Sequence, residues 1–360
     1  MAGAGCVSAT RGARRSVAVR LNDLQVVGTH NSYHVEPASA ALNVITSVDP
    51  ELINLAVTHP RLATQLGHEA VRQVELDVFA DPDGTLWRPL GTPGFKVFHM
   101  EQVDMGSTCE TFVVCLGALQ HWSDAHPSHL PVFVLVQPKG EVVLPGPPNP
   151  VPLTTGILDA LDAEIRLVMK PSDLITPDRV RGKSPTVEVA VLANGWTKLH
   201  DARGKFVFLL LPEFRDLYIE DHPNLEGRVM FPAATPGQPD AAFIQVDDPR
   251  GANEATISDL VRKGYLVRTR ADEAVVTPRS GDPTQRDAAF ASGAQIVSTD
   301  YPVRGLAARW GSDYVAQLPG GVLARCNPIR APRACRARDL MEPGISRGAK
   351  KSRAARGGLP

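Results

Sequence analysis

Six short segments hold side chains that could do chemistry together. "VGTHNSYH" places His30 and Asn31 directly after an apolar run, and "QVELDVF" carries Glu75 and Asp77. "KVFHM" ends on His99, "VLVQPKG" contains Gln137 and Lys139, "YLVRTRAD" holds Arg268, Arg270 and Asp272, and "STDYP" holds Asp300 and Tyr301. Glu75 and Asp77 are two residues apart, which on a strand aims both at one side. Ionised carboxylates facing an apolar interior are costly unless a cation or partner compensates them. Taken singly, Glu75 could be a structural ion pair with Arg72 or Arg268, and His99 a satisfied core histidine. Taken jointly, the set is specific. Oxygen donors of this kind suit Ca²⁺, with Mg²⁺ as the alternative; two histidines suit a general base and a general acid; arginine or lysine holds an anion. The combination points to cleavage of a phosphodiester.

Such residues need elements that bring their chain positions together. Continuous apolar runs predict strands at Leu24–Gly28, Gln73–Phe79, Lys96–His99, Val132–Val136, Phe206–Leu211, Ala242–Val246, Tyr265–Arg268 and Gln295–Ser298. Unbroken runs suit parallel strands buried on both faces. Helical spacing lies between several of them. Phe112, Leu116 and Leu119 repeat after a Ser107/Thr108 cap; Ile157, Leu158, Leu161, Ile165 and Val168 share one face; "EATISDLVRKG" closes on Gly264. Eight strands alternating with helices predict an α/β fold of the (β/α)₈ TIM-barrel class, with catalytic residues at the carboxyl ends of the strands. An open doubly wound sheet is the alternative, and the absence of GxGxxG and GxxxxGK[ST] patterns counts against its nucleotide-binding forms.

The chain has 360 residues, of which 43% are apolar and 21% charged, with a formal net charge of −1. That is enough to bury a full core, and no overall charge favours nucleic acid as a partner. No apolar run reaches membrane-spanning length. Residues 1–20 read as a disordered leader lacking the apolar core of a secretory signal, residues 21–336 as the barrel domain, and 337–360 as a basic disordered tail. "LPGPPNPVP" (Leu144–Pro152) reads as a rigid loop after the fourth strand. Cys109 with Cys115, and Cys326 with Cys335, form two short-spaced pairs, leaving Cys6 alone. Local disulfides in an oxidising compartment are one reading and four buried thiols the other. Neither pair has the CxxC spacing of zinc or thioredoxin chemistry.

The segments "GTHNSYH", "QLGHEAVRQVELDVFADPDG", "PGFKVFHM", "STCETFVVCLGALQHWSDAHPSHLPVFVL" and "GAQIVSTDY" resemble the calcium-dependent phosphatidylinositol-specific phospholipases C of bacterial and fungal type, a PLC-like phosphodiesterase barrel. The resemblance runs from about Leu24 to Cys335 and includes both cysteine pairs. It implies that His30 assists attack by the inositol 2-hydroxyl and that His99 protonates the departing diacylglycerol oxygen. It further implies Asn31, Glu75 and Asp77 as calcium ligands, with Gln137 where the family usually offers an acid; Asp104 or Glu141 are the alternatives for that place. Lys139, Arg268, Arg270 and Tyr301 are the expected substrate-binding residues, Ser32 and Tyr33 turn-packing residues, and His34 a surface histidine. The implied enzyme is a monomer, secreted or extracytoplasmic, acting on a phospholipid or small phosphodiester at a membrane surface. Two other readings compete: a glycerophosphodiester phosphodiesterase, whose first strand ends differently, and a catalytically weakened barrel that binds lipid headgroups.

Overall fold

The computed structural model describes residues 18–87, 91–142 and 146–342. The leader up to residue 17 with Cys6, the first part of the proline loop at 143–145, and the tail from 343 onward lie outside the described residues.

Ten strands form one sheet: β1 (Leu24–Thr29), β2 (Val71–Asp81), β3 (Gly94–Val97), β4 (Val132–Lys139), β5 (Phe206–Leu210), β6 (Phe231–Pro232), β7 (Phe243–Gln245), β8 (Leu266–Arg270), β9 (Ile296–Thr299) and β10 (Ala324–Cys326). Eight of them run parallel in the order β6-β5-β4-β2-β1-β9-β8-β7. The two ends of that order meet through a single parallel bridge, Ala233 with Phe243, where the Ala234 amide donates to the Phe243 carbonyl at 3.0 Å. The ring is the expected eight-stranded barrel. Its staves are apolar because both faces are covered: Val132–Val136 and Phe206–Leu210 are buried throughout.

Two staves differ from expectation. The Lys96–His99 run is not a barrel strand. β2 is 11 residues long and overshoots the ring, and β3 pairs antiparallel with its far half, from Val78↔Val97 to Asp81↔Gly94. The stave that takes its place is β6, two residues long. A run that short leaves no periodicity to read.

Helix α1 (Ser39–Val48) packs on the turn at Pro50–Leu55, while α2 (Leu62–His68), α3 (Phe112–Ala125) and α4 (Thr155–Val168) cover the first half of the barrel. The cap of α3 is Thr111, whose side chain accepts from the Val114 amide, not Ser107 or Thr108. Leu158, Leu161 and Ile165 of α4 are buried as their spacing predicts. The helix Ala252–Lys263 ends on Gly264 at φ 123°, a backbone that favours glycine.

Both cysteine pairs are disulfides, with Cα–Cα distances of 5.1 Å for Cys109–Cys115 and 6.1 Å for Cys326–Cys335. β10 leads into the second of these and lies antiparallel on the first half of β1. The packed body also continues past the expected boundary at 336. Ala337–Leu340 forms a 3-10 turn, Leu340 is buried, and Glu342 reaches the buried Arg72.

Candidate active site

The upper end of β1 begins the site. A Cβ on Gly28 would lie 1.9 Å from the Gln73 Oε1 of the neighbouring strand, so only glycine lets β1 approach there. The chain then turns at Asn31, which has φ 44°. Ser32 fastens this turn to β2: its amide donates to the Glu75 carbonyl at 3.0 Å and its hydroxyl accepts from the Glu75 amide at 2.8 Å. Ser32 and Tyr33 are fully buried packing residues, as expected. His34 is not a surface histidine. It is 4% exposed and enclosed by a neighbouring turn, because the segment doubles back beneath residues 104–108 instead of standing in water.

Two imidazoles face one cavity of about 420 Å³, each backed by an aspartate. His30 Nδ1 lies 3.3 Å from Asp300 Oδ1, and His99 Nδ1 lies 2.9 Å from Asp104 Oδ2. An aspartate that accepts from Nδ1–H leaves Nε2 as the working nitrogen. Asp300 also meets the buried His59 Nε2 at 3.4 Å. Burial pushes the Asp300 carboxyl up, but His30 and His59 outweigh it and hold it well below the usual range. Its neighbour Asp272 is pushed up to about 6 by burial and by the Asp300 charge, and it accepts from the Asp300 amide at 3.0 Å. Asp104 also lies below the usual range. Burial raises it, and hydrogen bonds from His34 and His99 outweigh that.

Of the expected ligands, Asn31 stands in the turn after β1, and Glu75, Asp77 and Gln137 lie on β2 and β4. Glu75 Oε1 is 3.9 Å from His30 Nε2, and Glu75 Oε2 accepts from Arg268 Nη2 at 2.9 Å. Asp77 is fully buried, stands beside Gln137 in register, and has Lys139 Nζ 3.0 Å from its Oδ2. Asn31 Oδ1 is buried with no hydrogen-bond donor, and the buried Asp77 carboxylate meets the Lys139 ammonium at Oδ2. An acceptor left without a donor fits a hard cation. Among the described residues no three His, Cys, Asp or Glu side chains form a ready metal cluster. Of the two alternatives for the fourth ligand, Asp104 is hydrogen-bonded to His34 and His99, and Glu141 is exposed.

Of the expected substrate-binding residues, Arg270 reaches the cavity, its guanidinium 4.0 Å from Asp300 Oδ2. Arg268 does not. It is 1% exposed and serves as an internal tie among Glu75, Asp247 and Ser298, one of the two structural pairings open to Glu75. Lys139 is held by Asp77. Tyr301 is a correction: it is 2% exposed, donates its hydroxyl hydrogen to the Ala274 carbonyl and packs edge-on against Tyr314. Neighbouring residues at a strand end face opposite ways, so if Asp300 points into the cavity, Tyr301 points out of it. Sequence reasoning passed over the far wall, where Asp247, Asp248 and Glu273 line the cavity. Their signal was the one that found His30, polar residues directly after a strand.

A closed parallel barrel with its polar residues gathered at the strands' carboxyl ends defines the class of (β/α)₈ barrel enzymes. A calcium-dependent phosphoinositol-specific phospholipase C of Pseudomonas sp. has this fold at a TM-score of 0.53 and 14% identity, over 86% of this chain and 96% of that one. So does a Ca²⁺-dependent phosphatidylinositol-specific phospholipase C of Streptomyces antibioticus, at a TM-score of 0.53 and 19% identity, over 82% of this chain and 98% of that one. No curated protein matches the chain. Residues 19–90 and 87–328 match the family described as phosphoinositide phospholipase C, Ca²⁺-dependent. The chain belongs to that family, and it is a phosphodiesterase of phospholipase C type.

Proposed function

We propose that the enzyme cleaves the glycerol–phosphate bond of phosphatidylinositol, giving diacylglycerol and a cyclic inositol phosphate. The observation that carries this reading is the pair of aspartate-backed imidazoles facing one cavity. Asp300 holds the Nδ1–H of His30, so His30 Nε2 takes the proton of the inositol 2-hydroxyl as that oxygen attacks phosphorus. The bond from phosphorus to the glycerol oxygen breaks, and His99 Nε2 delivers the proton that oxygen needs. Arg270 and the Asn31 side-chain amide, which both line the cavity, would hold the phosphate oxygens. Asp247, Asp248 and Glu273 oppose them, Asp247 paired with Arg268 and the other two with Arg250, so this wall offers both acceptors and a cation to the hydroxyls of a polyol.

The family is named Ca²⁺-dependent. Calcium would be held here by Asn31, Asp77, Glu75 and Gln137, where it would neutralise phosphate charge. The two disulfides and the lipid substrate support an extracytoplasmic site of action at a membrane surface. Among the described residues no helix is long and apolar enough to cross a membrane.

The test is product analysis with phosphatidylinositol, with and without a calcium chelator. Cyclic inositol phosphate that disappears with chelation is expected. Glycerol 3-phosphate from a glycerophosphodiester would show the competing chemistry, and headgroup binding without turnover would show a weakened barrel. His30→Ala and His99→Ala should each lower turnover by roughly 10²–10⁴-fold.

A further inference from the structure

We propose that His34 is a positioning residue for His99, acting through Asp104. This inference rests on the reading of His99 as the general acid. His34 Nδ1 lies 2.7 Å from the Val57 carbonyl, which only accepts, so Nδ1 carries hydrogen. His34 Nε2 lies 2.8 Å from both Asp104 oxygens, and an ionised carboxylate also only accepts, so Nε2 carries hydrogen as well. His34 therefore stands as an imidazolium paired with a buried carboxylate. Its proton affinity is raised in keeping with this: burial pulls it down, and the Asp104 hydrogen bond and charge outweigh that.

The consequence is geometric. Contact with both oxygens fixes the plane of the Asp104 carboxylate, which leaves Oδ2 directed at His99 Nδ1. Asp104 and His99 share one small turn, closed by the Met100–Asp104 bridge and by the His99 amide donating to the Asp104 carbonyl at 3.2 Å. His34 comes from elsewhere, the segment after β1 that also carries His30. That segment is pinned on both sides. The His59 amide donates to the His34 carbonyl at 3.0 Å, and the Thr108 amide to the Tyr33 carbonyl at 2.7 Å. One stretch of chain thus presents the base and, through Asp104, orients the acid. A supporting hydrogen bond to a working histidine of this kind is worth on the order of 10–100-fold.

Two conservative variants separate the halves of the contact. His34→Asn keeps an amide donor for Val57 but brings none to Asp104; His34→Gln does the reverse. Both are assayed on phosphatidylinositol in mixed micelles and on an inositol nitrophenyl phosphodiester, whose leaving group departs without a proton. His34→Asn should lower kcat on phosphatidylinositol by roughly 10–100-fold and leave the nitrophenyl rate within about threefold of wild type. His34→Gln should stay near wild type on both. Equal losses on the two substrates, or equal losses in the two variants, would assign His34 a purely structural role and overturn the proposal. His99→Ala on the same substrates checks the premise separately. If the nitrophenyl substrate fails to rescue it, His99 is not the acid, and the inference falls with that reading.

Discussion

Each carboxylate of the expected calcium site already has a cation beside it, Glu75 with Arg268 and Asp77 with Lys139. Calcium must compete with these ammonium and guanidinium groups, and Gln137 adds no charge to help it. Sites poor in charged ligands lie at the weak end of protein calcium affinity, on the order of 10⁻⁴–10⁻³ M. Gln137→Glu, which adds a charge, and Lys139→Met, which removes a competitor, should each tighten calcium on the order of tenfold. Calorimetric titration of the lipid-free protein reads this directly. Unchanged affinity in both variants would mean that the ion sits elsewhere. His30, Asn31, His99 and Arg270 all line the cavity, and each was legible as a polar residue at or just past the end of an apolar run. Tyr301 obeyed the same pattern and faces away. The strand-end rule locates a position along the chain but does not choose a face.

At the scale of elements, buried staves announced themselves and short ones did not. β4 and β5 are unbroken apolar runs, whereas β6 has two residues and owes its place to its neighbours. The turn between α3 and β4 shows how such a connection is held. His129 is 1% exposed, its Nδ1 donating to the Leu130 carbonyl and its Nε2 standing 2.8 Å from the Ser123 hydroxyl. The neutral ring satisfies both contacts, with Nε2 accepting from the hydroxyl. Burial, the largest cause, pushes its pKa down to about 4. An unfolded chain binds a proton at this histidine below about pH 6.5 while the folded chain does not, so stability falls as pH drops from there to about 4. The loss is on the order of 3 kcal/mol by this linkage. Urea unfolding of wild type and His129→Gln at a series of pH values isolates it. The variant should lose less stability on acidification, and two parallel curves would show that His129 is free to charge in the folded state.

For the whole molecule, the outer face of the barrel needs covering as much as the carboxyl ends of the strands need chemistry. Arg72 at the start of β2 is fully buried and donates to the Leu66 and Val71 carbonyls and to both carboxylate oxygens of Glu342. Glu342 also accepts from the Leu130 amide at 2.6 Å, and Arg72 stacks over Trp122 with 5.1 Å to the ring centroid. Residues some 270 positions apart thus tie the end of the described chain to the outer face of β2, between α2 and α3. Breaking a buried pair leaves an uncompensated charge, so Glu342→Ala should cost about 3–5 kcal/mol. Denaturant unfolding measures it; a change below about 1 kcal/mol would mean that water already reaches Arg72.

What the sequence determined by itself was the pattern: seven of the eight barrel strands as buried runs with helices between, a polar residue set after those strands, and two cysteine pairs. These are local properties, set by side-chain periodicity and by which residues stand next to which. The tertiary structure alone decided partnership. That Glu75 takes Arg268, that Asp104 stands between His34 and His99, and that Glu342 closes over Arg72 depend on strand register and on loops folding back across the barrel. A buried charge accepts whichever opposite charge the packing brings within hydrogen-bond reach, and that distance is not written along the chain.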